Sequence, residues 1–110
     1  KGDLLIIGSG SGGTDSLVVM AEKARKQGAE LATLTIFPNN RIGSLSSAYI
    51  KIPGVTFKVE QKSDKTSSIQ PKGSSFEQLS WLIYDSIIID LKRDTNQTDE
   101  DMFGRHANLE

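Results

Sequence analysis

The feature that most constrains the fold is a short apolar run near the start of the chain, followed at once by a loop of glycine and serine. Residues 4–7 are continuously apolar and end at Gly8, which is typical of a strand buried on both faces of a parallel sheet. Apolar residues at helical spacing predict an amphipathic helix over residues 14–27, with Gly28 as its C-terminal cap. The β-branched run over residues 31–37 predicts a second strand. This order predicts a right-handed βαβ unit and therefore an α/β fold.

Shorter elements are predicted after this unit. Residues 42–47 are compatible with a short helix, and residues 49–52 predict a third short strand. The polar, lysine-rich residues 55–68 lack a clear period and are interpreted as a loop. Near the end, Thr98 and Asp101 have the S/T-x-x-D/E spacing of a helix start, which predicts a final short helix over about residues 102–106.

A long helix is predicted over residues 74–93, where apolar residues recur at helical spacing. Its apolar surface is wider than one contact with a sheet requires, because Trp81, Tyr84 and Ile89 fall outside the main stripe. This extra face predicts contact with another subunit. Coverage by residues upstream of this sequence is the alternative.

Composition narrows the classes of partner and cofactor. The chain has 110 residues, enough for one domain, and its 13 basic and 14 acidic residues leave a net charge of -1. That balance argues against nucleic acid or an anionic membrane as the main partner. With no cysteine and one histidine, neither a disulfide framework nor a zinc site is expected, and the composition fits a reducing cytoplasm. No apolar run reaches the length of about 20 residues that a membrane span needs.

The loop over residues 8–14 (GSGSGGT) is the strongest candidate for a binding site. Glycines allow close backbone approach, the new helix exposes unpaired N–H groups at a positive dipole end, and hydroxyls add donors. Such a loop binds phosphate without Lys or Arg. The alternative is a structural connection in which one Ser or Thr merely caps the helix; the strand–loop–helix setting favours the anion site. The candidate phosphate-binding residues are Ser9, Gly10, Ser11, Gly12 and Thr14.

The same letters also satisfy the dinucleotide fingerprint G-x-G-x-x-G through Gly8, Gly10 and Gly13. That interpretation fails a second requirement, because residues 37–40 (FPNN) contain no acidic residue where the ribose would be bound. Three hydroxyls in a short loop also suit a terminal phosphate monoester better than a pyrophosphate. A P-loop is excluded because no Gly-Lys-Ser/Thr follows.

Two residues are candidates for proton transfer. Glu77 stands three residues after Ser74, which is the spacing of a capping box, and the residues alone favour that structural role. Its carboxylate could instead act as a general base that moves a proton between neighbouring sugar carbons. His106, the only histidine, could act as a proton-transfer group, yet a lone histidine in a C-terminal segment is more often a solvated bystander.

Four blocks of sequence carry a resemblance to a known family: LLIIGSGSGGTDSLVVMAEKA, TLTIFPNNRIGSLSSAYIKIPG, SIQPKGSSFEQ and DMFGRHANLE. Together they resemble the C-terminal part of 6-phospho-3-hexuloisomerase, a family of SIS (sugar isomerase) type, over nearly the whole chain. The resemblance implies a Rossmann-like parallel sheet flanked by helices, present here in an N-terminally incomplete version with about three strands and an exposed sheet edge. Residues 1–110 would then form the C-terminal portion of a single SIS domain.

The resemblance also implies an activity. It is the cofactor-free, metal-free interconversion of 3-hexulose 6-phosphate and fructose 6-phosphate in a cytoplasmic homo-oligomer, usually a tetramer. Ser9, Ser11 and Thr14 would hold the phosphate, Glu77 would pass a proton between C2 and C3 through an enediol, and His106 would assist at a site shared between subunits. The alternatives are a non-catalytic sugar-phosphate-binding module and an inactive truncated fragment.

Two residues depart from the family pattern. Gly13 stands where the family usually has glutamate, and Lys72 stands where it usually has methionine. Loss of the glutamate could loosen the loop or alter ligand choice. A cation at position 72 could strengthen anion binding or be solvated and neutral in effect.

Overall fold

The computed structural model describes residues 2–57 and 69–106, and within these ranges it contains three strands and four helices. In chain order they are β1 Leu4–Gly8, α1 Asp15–Lys26, β2 Glu30–Thr35, α2 Arg41–Leu45, β3 Ala48–Lys51, α3 Ser74–Asp94 and α4 Asp99–Phe103. The chain divides into two compact units, residues 1–80 and residues 81–110, and the division falls within α3. No described helix is long and apolar enough to cross a membrane.

The first unit is built on a parallel sheet in the order β1-β2-β3. Leu5 pairs with Leu31 across the first two strands, and Leu34 pairs with Ile50 across the second and third. The predicted α/β fold with a parallel sheet flanked by helices is therefore confirmed. Because the loop after β1 and the segment after β2 leave neighbouring parallel strands, they meet at the same edge of the sheet.

The core of this unit lies between the sheet and the first two helices. Its central cluster of buried apolar residues consists of Ile7, Val18, Ala21, Leu31 and Ile42. Val18 and Ala21 are three residues apart on α1, so both point toward the sheet. Gly28 follows the C-cap of α1 with a φ of 80°, which confirms its predicted role in ending the helix.

Some predicted details of the sheet were wrong. In β1 only Ile7 is buried and Leu4 is 60% exposed, because within the described residues β1 pairs with β2 alone. Burial on both faces, which the apolar run predicted, is found instead in β2, the central strand. That strand also ends two residues earlier than predicted, since the Thr35 hydroxyl accepts a hydrogen bond from the Phe37 amide and turns the chain.

The second unit contains the rest of α3 and α4. The predicted start of α4 is confirmed: the Thr98 hydroxyl accepts from the Asp101 amide, and the Asp101 carboxylate accepts from the Thr98 amide. The helix occupies Asp99–Phe103 and not residues 102–106, because a capping box makes Asp101 the third helical residue.

On α3, Trp81 is 71% exposed and Ile89 is 64% exposed. The predicted subunit contact of this face stays a prediction. The loop predicted over residues 55–68 lies mostly outside the described residues.

Candidate functional site

The Gly/Ser loop is a compact turn held together by its own serine hydroxyls. The Ser9 hydroxyl accepts a hydrogen bond from the Gly12 amide at 3.1 Å, and the Ser11 hydroxyl accepts one from the Gly13 amide at 3.3 Å. Both serines are buried. A hydroxyl has two acceptor lone pairs and one proton to donate. Each serine can therefore hold the loop and still donate its proton to a bound oxyanion.

The loop leads directly into the amino-terminal end of α1. Thr14 is the N-cap residue, and its carbonyl accepts the first helical hydrogen bond from the Val18 amide at 3.0 Å. The Thr14 side chain makes no capping hydrogen bond to the helix, so the alternative in which this hydroxyl serves as a cap is wrong. The first amides of a helix have no acceptor within it, and they carry the positive end of the helix dipole. Residues 15–17 present such amides.

A cavity of about 270 Å³ brings this loop together with the start of α3. The volume lies just under the range of about 300 to 1,000 Å³ that is typical of small-molecule pockets. Within the described part of the chain, its lining includes no Lys or Arg, and Glu77 is its one charged side chain. The lining residues are Gly8, Ser9, Gly10, Ser11, Thr14, Leu17, Ile36, Thr56, Gly73, Phe76 and Glu77.

Glu77 reaches this cavity from the first turn of α3. The helix begins at Ser74, and the Gly73 carbonyl accepts from the Glu77 amide at 3.1 Å. Gly73 therefore occupies the N-cap position, with a φ of 93°. The predicted capping box of Ser74 and Glu77 is wrong, because Ser74 is the first helical residue and not the N-cap, Glu77 is the fourth and not the third, and the Ser74 amide donates to the Pro71 carbonyl instead. Glu77 is exposed, and it lines the same cavity as Ser9, Ser11 and Thr14.

Phe76 joins the start of α3 to the loop, a role that the sequence analysis missed. Its ring is buried, and a Cβ built on Gly10 would lie 3.4 Å from its Cδ1 atom and 3.6 Å from Cδ1 of Ile36. Gly10 thus leaves room for an apolar floor beneath the loop. One signal in the sequence could have indicated this role, namely an aromatic residue directly before the candidate base.

The structure does not place every candidate at this cavity. Gly12 is a buried residue of the loop with a φ of +66°, and a built Cβ would lie 3.0 Å from the Phe37 carbonyl oxygen. It shapes the loop and does not line the cavity. His106 belongs to the second unit, where its exposed ring stacks on Phe103 with centroids 6.2 Å apart. Its assignment to the site stays a prediction.

The structure shows what surrounds Gly13 and Lys72, the two residues that depart from the family pattern. A Cβ built on Gly13 would meet nothing within 4 Å, and its φ is not in the left-handed region. A side chain at this position would therefore be accommodated without strain. Lys72 places its Nζ atom 5.3 Å from the centroid of the Phe57 ring and is not among the residues that line the cavity.

Known proteins resemble the chain along its whole length. No family model matches it. It is 44% identical to the 3-hexulose-6-phosphate isomerase of Bacillus subtilis (strain 168), covering 100% of this chain and 58% of that protein. It is 39% identical to the 3-hexulose-6-phosphate isomerase of Mycobacterium gastri, covering 99% of this chain and 53% of that protein. The chain is a homologue of the 3-hexulose-6-phosphate isomerases. The resemblance found in the sequence is thereby confirmed.

Solved structures share the fold. A crystal structure of a hypothetical protein matches 97% of this chain and 56% of its own with a TM-score of 0.74 and 28% identity. A second, a hypothetical protein from Methanococcus jannaschii whose structure infers a molecular function of 3-hexulose-6-phosphate isomerase, matches 98% of this chain and 55% of its own. Its TM-score is 0.69 at 25% identity. The chain spans little more than half the length of the relatives and structures that it matches.

Proposed function

We propose that this chain binds the phosphate of a hexulose 6-phosphate at the Gly/Ser loop and interconverts 3-hexulose 6-phosphate with fructose 6-phosphate, using Glu77 as the base. The observation that carries the proposal is the shared cavity, which Ser9, Ser11, Thr14 and Glu77 all line. The homology to 3-hexulose-6-phosphate isomerases supports the same substrate class.

Phosphate binding is supported by the kind of donors that the loop supplies. A phosphate monoester carries nearly two negative charges at neutral pH and offers three acceptor oxygens. The hydroxyl protons of Ser9 and Ser11, the first amides of α1 and the dipole of that helix all favour such a group. Because these donors are fixed by hydrogen bonds within the loop, little ordering is required when the ligand binds.

The proposed reaction moves a carbonyl from C3 to C2 without a cofactor. The Glu77 carboxylate removes the proton from C2 of 3-hexulose 6-phosphate, and the C2–H electron pair forms the C2=C3 bond of an enediol. The C3 oxygen gains a proton as the former carbonyl becomes a hydroxyl. Return of the proton from Glu77 to C3, with loss of the O–H proton at C2, gives fructose 6-phosphate. Atoms and electrons balance without an external oxidant or reductant.

The remaining parts of the proposal concern oligomeric state, cellular location and domain organisation. We propose that the protein is a cytoplasmic homo-oligomer in which His106 assists from a neighbouring subunit. Residues 1–110 would form the C-terminal portion of a single SIS domain. The exposed Trp81 and Ile89 on α3 support association between copies. The near-neutral charge favours neither nucleic acid nor membrane as a partner.

The decisive experiment compares Glu77→Gln with wild type and with Glu22→Gln. Glu22 is an exposed carboxylate on α1 that does not line this cavity. Turnover is followed by a coupled assay for fructose 6-phosphate, and affinity by calorimetry with the same sugar phosphate. We expect Glu77→Gln to lose a factor of about 10² to 10⁴ in turnover, with affinity changed by less than about threefold because the loop donors remain. Glu22→Gln should match wild type in both.

Each failure has a different meaning. Full turnover by Glu77→Gln would refute the base, and no binding of fructose 6-phosphate by wild type would refute the phosphate site. Binding without turnover by wild type would favour the second candidate, a non-catalytic sugar-phosphate-binding module. Absence of both would favour an inactive fragment.

A further inference from the structure

Three consecutive carbonyls of the Gly/Ser loop are each held by a donor from the segment that follows β2. We call this segment, residues 36–42, the brace. Two of its donors are backbone amides, and the third is the side-chain amide of Asn40. The hydrogen bonds are Ile36 N to Gly10 O at 3.2 Å, Asn40 Nδ2 to Ser11 O at 2.6 Å and Ile42 N to Gly12 O at 2.9 Å.

Asn40 does not perform the usual task of an asparagine at its position. It is the N-cap residue of α2, where an asparagine side chain ordinarily accepts from an amide of the first turn. Here it makes no side-chain cap hydrogen bond. Instead it reaches 29 residues back along the chain to Ser11. The group that faces Ser11 O must be the NH₂, since a carbonyl oxygen can only accept.

The contact from Asn40 controls a serine hydroxyl through one peptide plane. The Ser11 carbonyl and the Gly12 N–H belong to the same planar trans peptide, so they point in opposite directions. Holding the carbonyl toward the brace therefore aims the Gly12 N–H at Ser9, whose hydroxyl and backbone carbonyl both accept it at 3.1 Å. With that lone pair occupied, the Ser9 hydroxyl is held by the loop and its proton remains to be donated in the cavity.

We propose that Asn40 is a positioning residue of the phosphate site, acting through the Ser11–Gly12 peptide on the Ser9 hydroxyl. This inference rests on the proposed function, because it assigns a remote residue to the same phosphate-binding loop. Asn40 does not line the cavity. Its loss should weaken phosphate binding without removing a group that touches the ligand.

The test compares Asn40→Ala and Asn40→Asp with Asn39→Ala, a matched change at the exposed neighbour. Dissociation constants for inorganic phosphate and fructose 6-phosphate are measured by NMR titration, and hydrogen exchange of the Gly12 amide is followed without ligand. We expect Asn40→Ala to weaken both ligands about 5- to 10-fold and to expose the Gly12 amide to exchange. Asn39→Ala should stay within twofold of wild type in every measurement.

Asn40→Asp keeps the shape of the side chain. It adds a second measurement, the pH dependence of binding, which a general loss of stability would not change. An ionised carboxylate can only accept, so it repels the Ser11 carbonyl, and binding should be weaker than in Asn40→Ala. When the carboxyl is protonated it can donate again. The ratio of the variant's dissociation constant to that of wild type at the same pH should therefore fall as pH is lowered through the carboxyl's pKa.

The outcomes separate this inference from the function on which it rests. If wild type binds neither ligand, the proposed function and the positioning role both fall. If wild type binds but Asn40→Ala and Asn40→Asp both remain within twofold of it, the positioning role alone is refuted. A lower melting temperature with unchanged affinity would likewise refute it, because Asn40 would then serve stability only.

Discussion

Two adjacent glycines in the phosphate loop should respond to the same substitution in opposite ways. At Gly12 the backbone has a φ of +66°, and a built Cβ would lie 3.0 Å from the Phe37 carbonyl oxygen and 3.1 Å from Oγ1 of Thr35. At Gly13 the φ is not left-handed, and a built Cβ would meet nothing within 4 Å. Gly12→Ala therefore introduces strain, whereas Gly13→Ala introduces none.

The magnitudes follow from these surroundings. A left-handed conformation costs an L-residue about 1 to 2 kcal/mol, and crowding against packed atoms adds about 1 to 3 kcal/mol. Loss of glycine's freedom in the unfolded chain offsets about 0.4 to 1 kcal/mol of this. We expect Gly12→Ala to be destabilising by about 3 kcal/mol. Gly13→Ala has only the unfolded-state effect and should be stabilising by about 0.4 to 1 kcal/mol.

Urea denaturation followed by far-ultraviolet circular dichroism measures both changes. With a slope of about 2 kcal/mol per molar urea, Gly12→Ala should lower the midpoint by about 1.5 M and Gly13→Ala should raise it by about 0.2 to 0.5 M. Each variant is the other's control, since the chemical change is identical. Equal destabilisation by the two substitutions, or a neutral Gly12→Ala, would refute the described loop conformation.

Two further predictions concern other parts of the molecule. Thr33 is fully buried and its hydroxyl donates to the Ile7 carbonyl at 2.8 Å, so Thr33→Val should lower the free energy of unfolding by about 1 kcal/mol in urea titrations; no change would show that this bond contributes nothing. Hydrogen bonds from the Thr98 amide and then its hydroxyl lower the pKa of Asp101 below its ordinary 3.8. The carboxylate should therefore support α4 at neutral pH and lose that effect as pH falls through the lowered pKa. NMR shifts of α4 should show this loss in wild type, and a loss persisting in Asp101→Asn would contradict it.

The order of elements was predictable from local patterns. The apolar run before Gly8, the helical spacing that follows it and the Gly28 cap each lie within one short stretch of chain. The end of β2 was not predictable in this way, because it depends on one hydroxyl of Thr35 that accepts from Phe37. Burial of β1 was overestimated because an apolar run reports what a strand could bury and not how many neighbours it has.

The candidate site was predictable to the extent that it is local. Ser9, Ser11 and Thr14 lie in one loop between a strand and a helix, and all three residues line the cavity. The role of Asn40 was not predictable from local sequence, because its contact with Ser11 joins residues 29 apart. Nothing in the sequence shows which of the adjacent Gly12 and Gly13 is surrounded by the brace.

The two interpretations of the Gly/Ser loop, a structural turn and a phosphate site, are physically compatible. The hydroxyls of Ser9 and Ser11 use acceptor lone pairs to bind the amides of Gly12 and Gly13, and this leaves their protons for a ligand. A loop whose hydroxyls also donated their protons within the loop would have no hydroxyl donors left for an anion. In this loop the serine hydroxyls only accept hydrogen bonds from loop amides. Its carbonyls, which would repel phosphate, are turned toward donors of the brace. The loop is therefore already ordered for anion binding when the protein folds. The dipole of α1 and the hydroxyl protons are then available to attract the ligand.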